Sequence, residues 1–174
     1  MCFQETKLDS VNSAVVKSLW SSPFVDWEAL DAIHTAGGVI LAWDTRVYKK
    51  IDSMVGCFFV SVLLKDVVDG FDWMCIGVCG LNVDGLRDAL WTELDIMRGR
   101  WSAVWCLFGD FNIIRYPVER LGCSSFSPAM YKFLDFIERN LLVDIPLVGG
   151  EYTLFCDLEN PSMSRIDRVL VSVD

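Results

Sequence analysis

With 174 residues, 53% hydrophobic and 22% charged, the chain can bury one sizeable core and lies well outside the disordered class. Its net charge of −9 opposes a general affinity for nucleic acid, which is led by Lys and Arg on phosphate, unless a local basic rim offsets it. Seven cysteines, an odd number, stand with one histidine, His34, and no Cys-x-x-Cys pair; this argues against a zinc site or a disulfide partner and for reduced intracellular thiols.

In chain order, Met1-Cys2-Phe3-Gln4 reads as a short apolar strand running into Glu5-Thr6-Lys7. Ser10 is placed to cap a helix over 11–20, where Val15, Val16, Leu19 and Trp20 recur at helical spacing. Residues 37–43 read as a buried strand and 46–54 as a more polar one. Stretches 56–65 and 71–78 flank Asp69-Gly70, a hairpin turn signal. The longest apolar run, 55–64, is far short of the ~20 residues a membrane helix needs, so no membrane partner is expected. Asp84 is placed to cap a helix over 85–99 that buries Leu86, Leu90, Leu94 and Met97. After the strand 103–108, Ser127-Pro128 opens a third helix with proline at its first position, turning Met130, Phe133, Leu134 and Ile137 inward. Strands at 152–155 and 166–173 close the chain. Hairpins in one part and helices in another indicate an α+β fold with two helix-covered sheets. The seven tryptophans mostly sit at core-facing spacings and suit packing better than base stacking. His34, in a polar stretch before Gly37-Gly38, reads as a surface residue.

Chemistry concentrates at Gly109-Asp110-Phe111-Asn112, at the end of the apolar run Val104-Trp105-Cys106-Leu107-Phe108. Alternation along a strand points Asp110 and Asn112 the same way, and Gly109 allows an unusual backbone there. A carboxylate and a carboxamide emerging together can accept a water's proton and donate to developing charge. The bland alternative is an ordinary turn aspartate. Arg115, Arg120, Arg165 and Arg168 lie near this segment and could form the basic rim, or could be ordinary solvated arginines.

With Gln4-Glu5-Thr6-Lys7 and Ser164-Arg165-Ile166-Asp167-Arg168, the Gly-Asp-Phe-Asn turn resembles the endonuclease/exonuclease/phosphatase family, the DNase I-like fold. The likeness extends to endonuclease domains of plant non-LTR (LINE-type) retrotransposons, through Gly37-Gly38-Val39-Ile40-Leu41-Ala42-Trp43-Asp44, Leu90-Trp91-Thr92-Glu93-Leu94 and Glu119-Arg120-Leu121-Gly122. It implies a four-layer α/β sandwich, with two packed mixed sheets flanked by helices, as a single domain over 1–174. It further implies an endonuclease that directs water at a DNA phosphodiester with Mg²⁺ or Mn²⁺, in an intracellular setting that includes the nucleus. By resemblance Glu5 is the metal ligand, Asp110 the residue that orients or deprotonates water, and Asn112 the phosphate ligand. Asp167 is the aspartate that orients a histidine, and Arg165 a weaker candidate for substrate contact. Thr153 falls where the family has Thr-Trp, here with Leu154 in place of the tryptophan.

The sequence departs from that pattern in three places. It starts at the family's second strand, without the first strand's Asn, and ends before the family's Ser-Asp-His strand. Gly77-Val78-Cys79-Gly80 puts Cys79 where the family has a tyrosine that donates to phosphate, and a thiol is a weaker, shorter donor. An impaired enzyme, a catalytically inactive remnant and a binding module therefore stand as alternatives to an active endonuclease.

Overall fold

A computed structural model describes residues 1–32, 37–156 and 161–173. The expectation for His34 lies outside the described residues. The chain divides into two compact units, one of Met1–Cys79 with Ala103–Phe108, the other of Gly80–Ser102 with Gly109–Asp174.

The first unit opens with β1 (Cys2–Gln4), α1 (Ser13–Leu19), β2 (Val25–Leu30) and β3 (Val39–Asp44). These strands form an antiparallel sheet in the order β1-β3-β2, with Cys2 opposite Leu41 and Trp27 opposite Ala42. Then come β4 (Tyr48–Val55), β5 (Phe59–Asp66), β6 (Asp72–Cys79) and β7 (Val104–Asp110). Within this unit β4, β5, β6 and β7 are neighbouring strands in that order, β4-β5 and β5-β6 antiparallel. The two sheets bury their facing apolar positions against each other: Val39, Leu41 and Trp43 meet Val60, Val62, Leu64 and Cys75. Each such side chain gains roughly 1.5–3 kcal/mol by leaving water, so this sandwich is the unit's main source of stability. Burial also pushes the Cys2 thiol up to about 12 and raises Cys75 and Cys106, because a thiolate is poorly solvated there.

The second unit holds α2 (Asp84–Arg100), α3 (Pro128–Arg139), β8 (Leu142–Asp144), the two-stranded β9 (Leu154–Cys156) and β10 (Ser162–Ser164), and β11 (Asp167–Ser172). It also holds the antiparallel pair β11-β8, with Leu170 opposite Asp144 and Ser172 opposite Leu142. Its core is aromatic. Trp91 of α2 stacks on Phe136 and Phe133 of α3 with ring centroids 4.7 and 5.3 Å apart. Phe111 completes the cluster at 6.3 Å from Trp91 and 5.5 Å from Phe133. Pairs of this kind add about 0.5–1.5 kcal/mol beyond their buried area.

Local signals decide the helix ends. α1 is capped by Asn12, whose side chain accepts from Ala14 and Val15 N–H, rather than by Ser10. α2 begins at Asp84 itself, with Val83 as an uncapped N-cap. Leu86 is exposed, and Arg87 takes its place on the buried face with Leu90, Trp91, Leu94 and Met97. α3 follows its sequence signal, with Ser127 accepting from Met130 N–H and Pro128 at the first position, although Phe136 rather than Leu134 joins the buried face. Trp43, Trp91 and Trp105 are buried and the other tryptophans half-buried, as a packing role requires.

Candidate active site

β7 delivers Asp110 to its end through Gly109, whose φ of 153° favours glycine. The chain then turns at Asn112, left-handed at φ 50°, a conformation that Asn tolerates better than most residues. This turn lets Asn112 grip Asp110 twice. The Asn112 backbone N–H donates to Asp110 Oδ1 at 2.7 Å and its Nδ2 donates to Asp110 Oδ2 at 3.0 Å. A second Nδ2 bond goes to the Gly80 carbonyl at 3.0 Å, so both amide protons are used inside the turn. Gly80 N–H in return donates to the Asp110 carbonyl at 2.6 Å. A Cβ at Gly80 would stand well inside van der Waals contact with the backbone of Asp110 and Phe111.

Three further groups hold the turn. Phe111, fully buried, anchors it in the aromatic core. Arg87 donates to the Asn112 carbonyl at 2.8 Å and pairs with Asp84. Phe111 N–H donates to the Ile166 carbonyl at 3.0 Å, which ties the turn to the residue before Asp167. Thr153 Oγ1 then accepts from the N–H groups of both Ile166 and Asp167, at 3.0 and 3.1 Å. The second unit thus brings the backbones of Asp110, Asn112 and Asp167 onto two directly hydrogen-bonded segments. Gly80, Arg87 and Thr153 are the supporting residues to which sequence reasoning assigned no role. A signal existed for Thr153 in its family position; Arg87 offered only its i, i+3 spacing from Asp84.

Glu5 belongs to the first unit, just beyond β1, and is exposed. Its φ of 50° is uncommon for a residue with a side chain. The Cys79 thiol faces Glu5 Oε1 at a long 3.9 Å. Gln4 turns inward and donates to the Val78 carbonyl at 3.0 Å. No group of three or more His, Cys, Asp and Glu side chains gathers into a cation site among the described residues. A hydrated Mg²⁺ needs only one or two carboxylates, and an exposed carboxylate whose thiol contact is this long has lone pairs to offer. Glu5 fits that limited role.

Two of the arginines near the motif, Arg165 and Arg168, are withdrawn from any open rim. Arg168 is fully buried and pairs with both Glu119 and Asp144. Arg165 donates to Asp144 Oδ1 at 2.8 Å and to the Ile145 carbonyl at 2.9 Å, so its guanidinium is committed to the protein. Arg115 lies 4.0 Å from Asp144, and Arg120 Nε donates to Ser164 Oγ at 2.9 Å. Glu119 also accepts from the backbone N–H groups of Arg115 and Tyr116, at 2.6 and 3.1 Å. The network fixes the loop after the motif. Among the described residues no disulfide is seen, and no helix is long and apolar enough to cross a membrane.

No protein-family model and no curated protein matches the sequence. Solved structures do match. An endonuclease/exonuclease/phosphatase family protein from Bacteroides thetaiotaomicron aligns with a TM-score of 0.60 at 14% identity, over 92% of this chain and 64% of its own. The endonuclease domain of TRAS1, a telomere-specific non-LTR retrotransposon, aligns at 0.63 and 10% identity, over 92% and 78%. Danio rerio TDP2, complexed with a single-strand DNA product, aligns at 0.59 and 12% identity, over 98% and 69%. The chain spans about two thirds of the length of the first of these, and the likeness at such identities concerns architecture. From these alignments, with its β-sandwich and strand-end Asp110 turn, the chain has the endonuclease/exonuclease/phosphatase fold, the DNase I-like α+β architecture.

Proposed function

We propose that this chain is a phosphodiesterase of the endonuclease type, acting on DNA with Mg²⁺ or Mn²⁺ and derived from a non-LTR retrotransposon. The observation that carries the reading is the doubly gripped Asp110 carboxylate at the end of β7. Each oxygen accepts a bond from Asn112, which fixes the carboxylate's orientation at the strand end. Held in this way, Asp110 orients the attacking water and takes its proton as it attacks phosphorus, a contribution worth about 10²–10⁴ in rate. Asn112 holds Asp110 in place, and it can reach a phosphate oxygen only by releasing one of its two amide contacts. Asp167 supplies a second carboxylate whose backbone Thr153 fixes, and by resemblance it orients a proton-carrying group. Glu5 would hold the divalent cation, which supplies charge neutralisation on the phosphate. DNA as substrate is in keeping with the retrotransposon endonuclease and with TDP2 bound to a DNA strand.

Nicking of supercoiled plasmid tests the proposal. Mg²⁺- or Mn²⁺-dependent nicking is expected, suppressed by chelation and reduced at least about a hundredfold by Asp110→Ala. Nicking that survives Asp110→Ala would remove Asp110 from the chemistry. A second reading, a catalytically inactive binding module, is favoured by the amide protons of Asn112 being used within the turn and by Cys79 at the place of a tyrosine donor. Absence of nicking beside retained DNA binding would select it.

A further inference from the structure

Beyond the motif, the second unit carries aromatic rings that its core does not use. Tyr116, Phe126 and Tyr131 form a ladder, Tyr116 edge-on to Phe126 at 6.3 Å and 89°, and Phe126 stacked on Tyr131 at 5.1 Å and 24°. They remain 39%, 40% and 61% exposed. Rings that meet one another yet stay this open resemble a platform more than a core, since packing normally removes such surface from water.

The ladder is held in place. Glu119 accepts from the Tyr116 N–H and is itself fixed by the buried Arg168, so the Tyr116 backbone hangs on the ion network. Tyr131 is in the first turns of α3, directly after Ser127 has capped the helix that Phe126 leads into. Little ordering would remain for a ligand to impose. Preorganisation of this kind lowers the cost of binding.

Charge indicates the occupant. Residues 113–133 contain Arg115, Arg120 and Lys132 against Glu119 alone, a balance of 3 − 1 = +2 in a chain of net −9. The Glu119 carboxylate is turned to Arg168 and the backbone, and Lys132 bonds Asp88 at 2.5 Å. Arg115 lies over the Tyr116 ring at 5.0 Å, with its ion pair to Asp144 a loose 4.0 Å. Exposed rings extended by a guanidinium provide what unpaired bases use: faces for stacking and a cation near the strand. Val118 and Leu121, in the same stretch of chain, are also exposed apolar residues.

We propose that Tyr116, Phe126 and Tyr131, with Arg115, form a stacking platform for unpaired bases of a DNA strand, separate from the Asp110 turn. The choice of DNA rests on the phosphodiesterase reading above; the stacking itself does not.

The test uses the full chain carrying Asp110→Ala, so that no strand is cut. Anisotropy of a labelled single-stranded oligonucleotide is compared with an abasic strand of equal length and charge, and with a duplex. The base-bearing strand is expected to bind about tenfold or more tightly than the abasic one. Phe126→Ala with Tyr131→Ala should cost about tenfold or more on the base-bearing strand and little on the abasic one, since each stacked base is lost separately from the phosphate contacts. Tyr131→Phe keeps the ring and should bind as the parent, and thermal melting verifies that each variant is folded. Equal affinity for base-bearing and abasic strands, or unchanged binding by the alanine variants, would overturn the platform. So would a concentration-dependent dimer abolished by Phe126→Ala, which would assign the ladder to a second copy of the chain. Base-selective binding without plasmid nicking would leave the platform standing and defeat the catalytic reading; Asp110-dependent nicking without base selectivity would do the reverse.

Discussion

Asp110 can be held tightly because a neighbouring residue has no side chain. Gly80 packs against the backbone of Asp110 and Phe111 so closely that its N–H and C=O both serve the turn. A methyl there must push the turn away, and overpacking of this kind costs about 1–3 kcal/mol. Gly80→Ala is therefore expected to lower the urea midpoint and also to disturb Asp110, because the displaced atoms are the ones that bear it. An Asn112→Ala variant separates the two effects, since it loses the grip on Asp110 without adding a clash. If Gly80→Ala matches wild type in both stability and nicking, the close approach has no part in building the site.

At the scale of elements, the buried ion network joins the loop after the motif to β8 and β11. Exposed ion pairs such as Lys132–Asp88 contribute little, typically 0–1 kcal/mol. Arg168 differs because its side chain has no access to water and faces two carboxylates. Removing one member of such a group strands the others, at about 3–5 kcal/mol. Arg168→Ala should thus destabilise the second unit by about that amount, toward the lower end because Arg165 and Arg115 still face Asp144. Urea unfolding measures it; a loss under 1 kcal/mol would mean that the carboxylates find water or another partner. The network also shows what sequence could and could not convey. α3 was legible because its cap, its proline and its apolar spacing agree. The Gly-Asp-Phe-Asn turn was legible because a glycine and two polar residues end an apolar run. β2 escaped notice although Val25-Asp26-Trp27-Glu28-Ala29 alternates, and β8 and β10, of three residues each, are too short to show a period. Arg87 drew no reading and Arg168 stood between a basic rim and a solvated charge, because partners distant in sequence, Asn112 for one and Glu119 for the other, make them buried.

For the molecule as a whole, the question is how a chain of net charge −9 meets a polyanion. Most of its 15 Lys and Arg already face carboxylates: Arg46 with Asp44, Lys50 with Glu28, Lys65 with Asp72, Arg87 with Asp84, Lys132 with Asp88, Arg139 with Asp95, and Arg165 and Arg168 with Asp144. Arg46 hydrogen bonds hold the Asp44 carboxyl down at about 2, so at neutral pH that pairing is fully formed. Recruiting such cations to phosphate would forfeit the pairs they make. Few phosphates can then be neutralised, and affinity must come from contacts that salt does not screen, such as base stacking. Each neutralised phosphate on a single strand contributes a slope of about −0.7 to the logarithm of affinity against the logarithm of salt. With Arg115 and Arg120 as the principal contacts, the slope should be about −1.4, a loss of roughly sevenfold between 50 and 200 mM salt. A basic nucleic-acid binder with 6–10 contacts loses about 10³–10⁵ over that range. Anisotropy titrations of the Asp110→Ala chain at several salt concentrations measure the slope, and Arg115→Ala should flatten it further. A slope steeper than about −4 would mean that six or more cations reach the backbone. The ion pairs would then have opened on binding, and charge rather than stacking would carry the affinity.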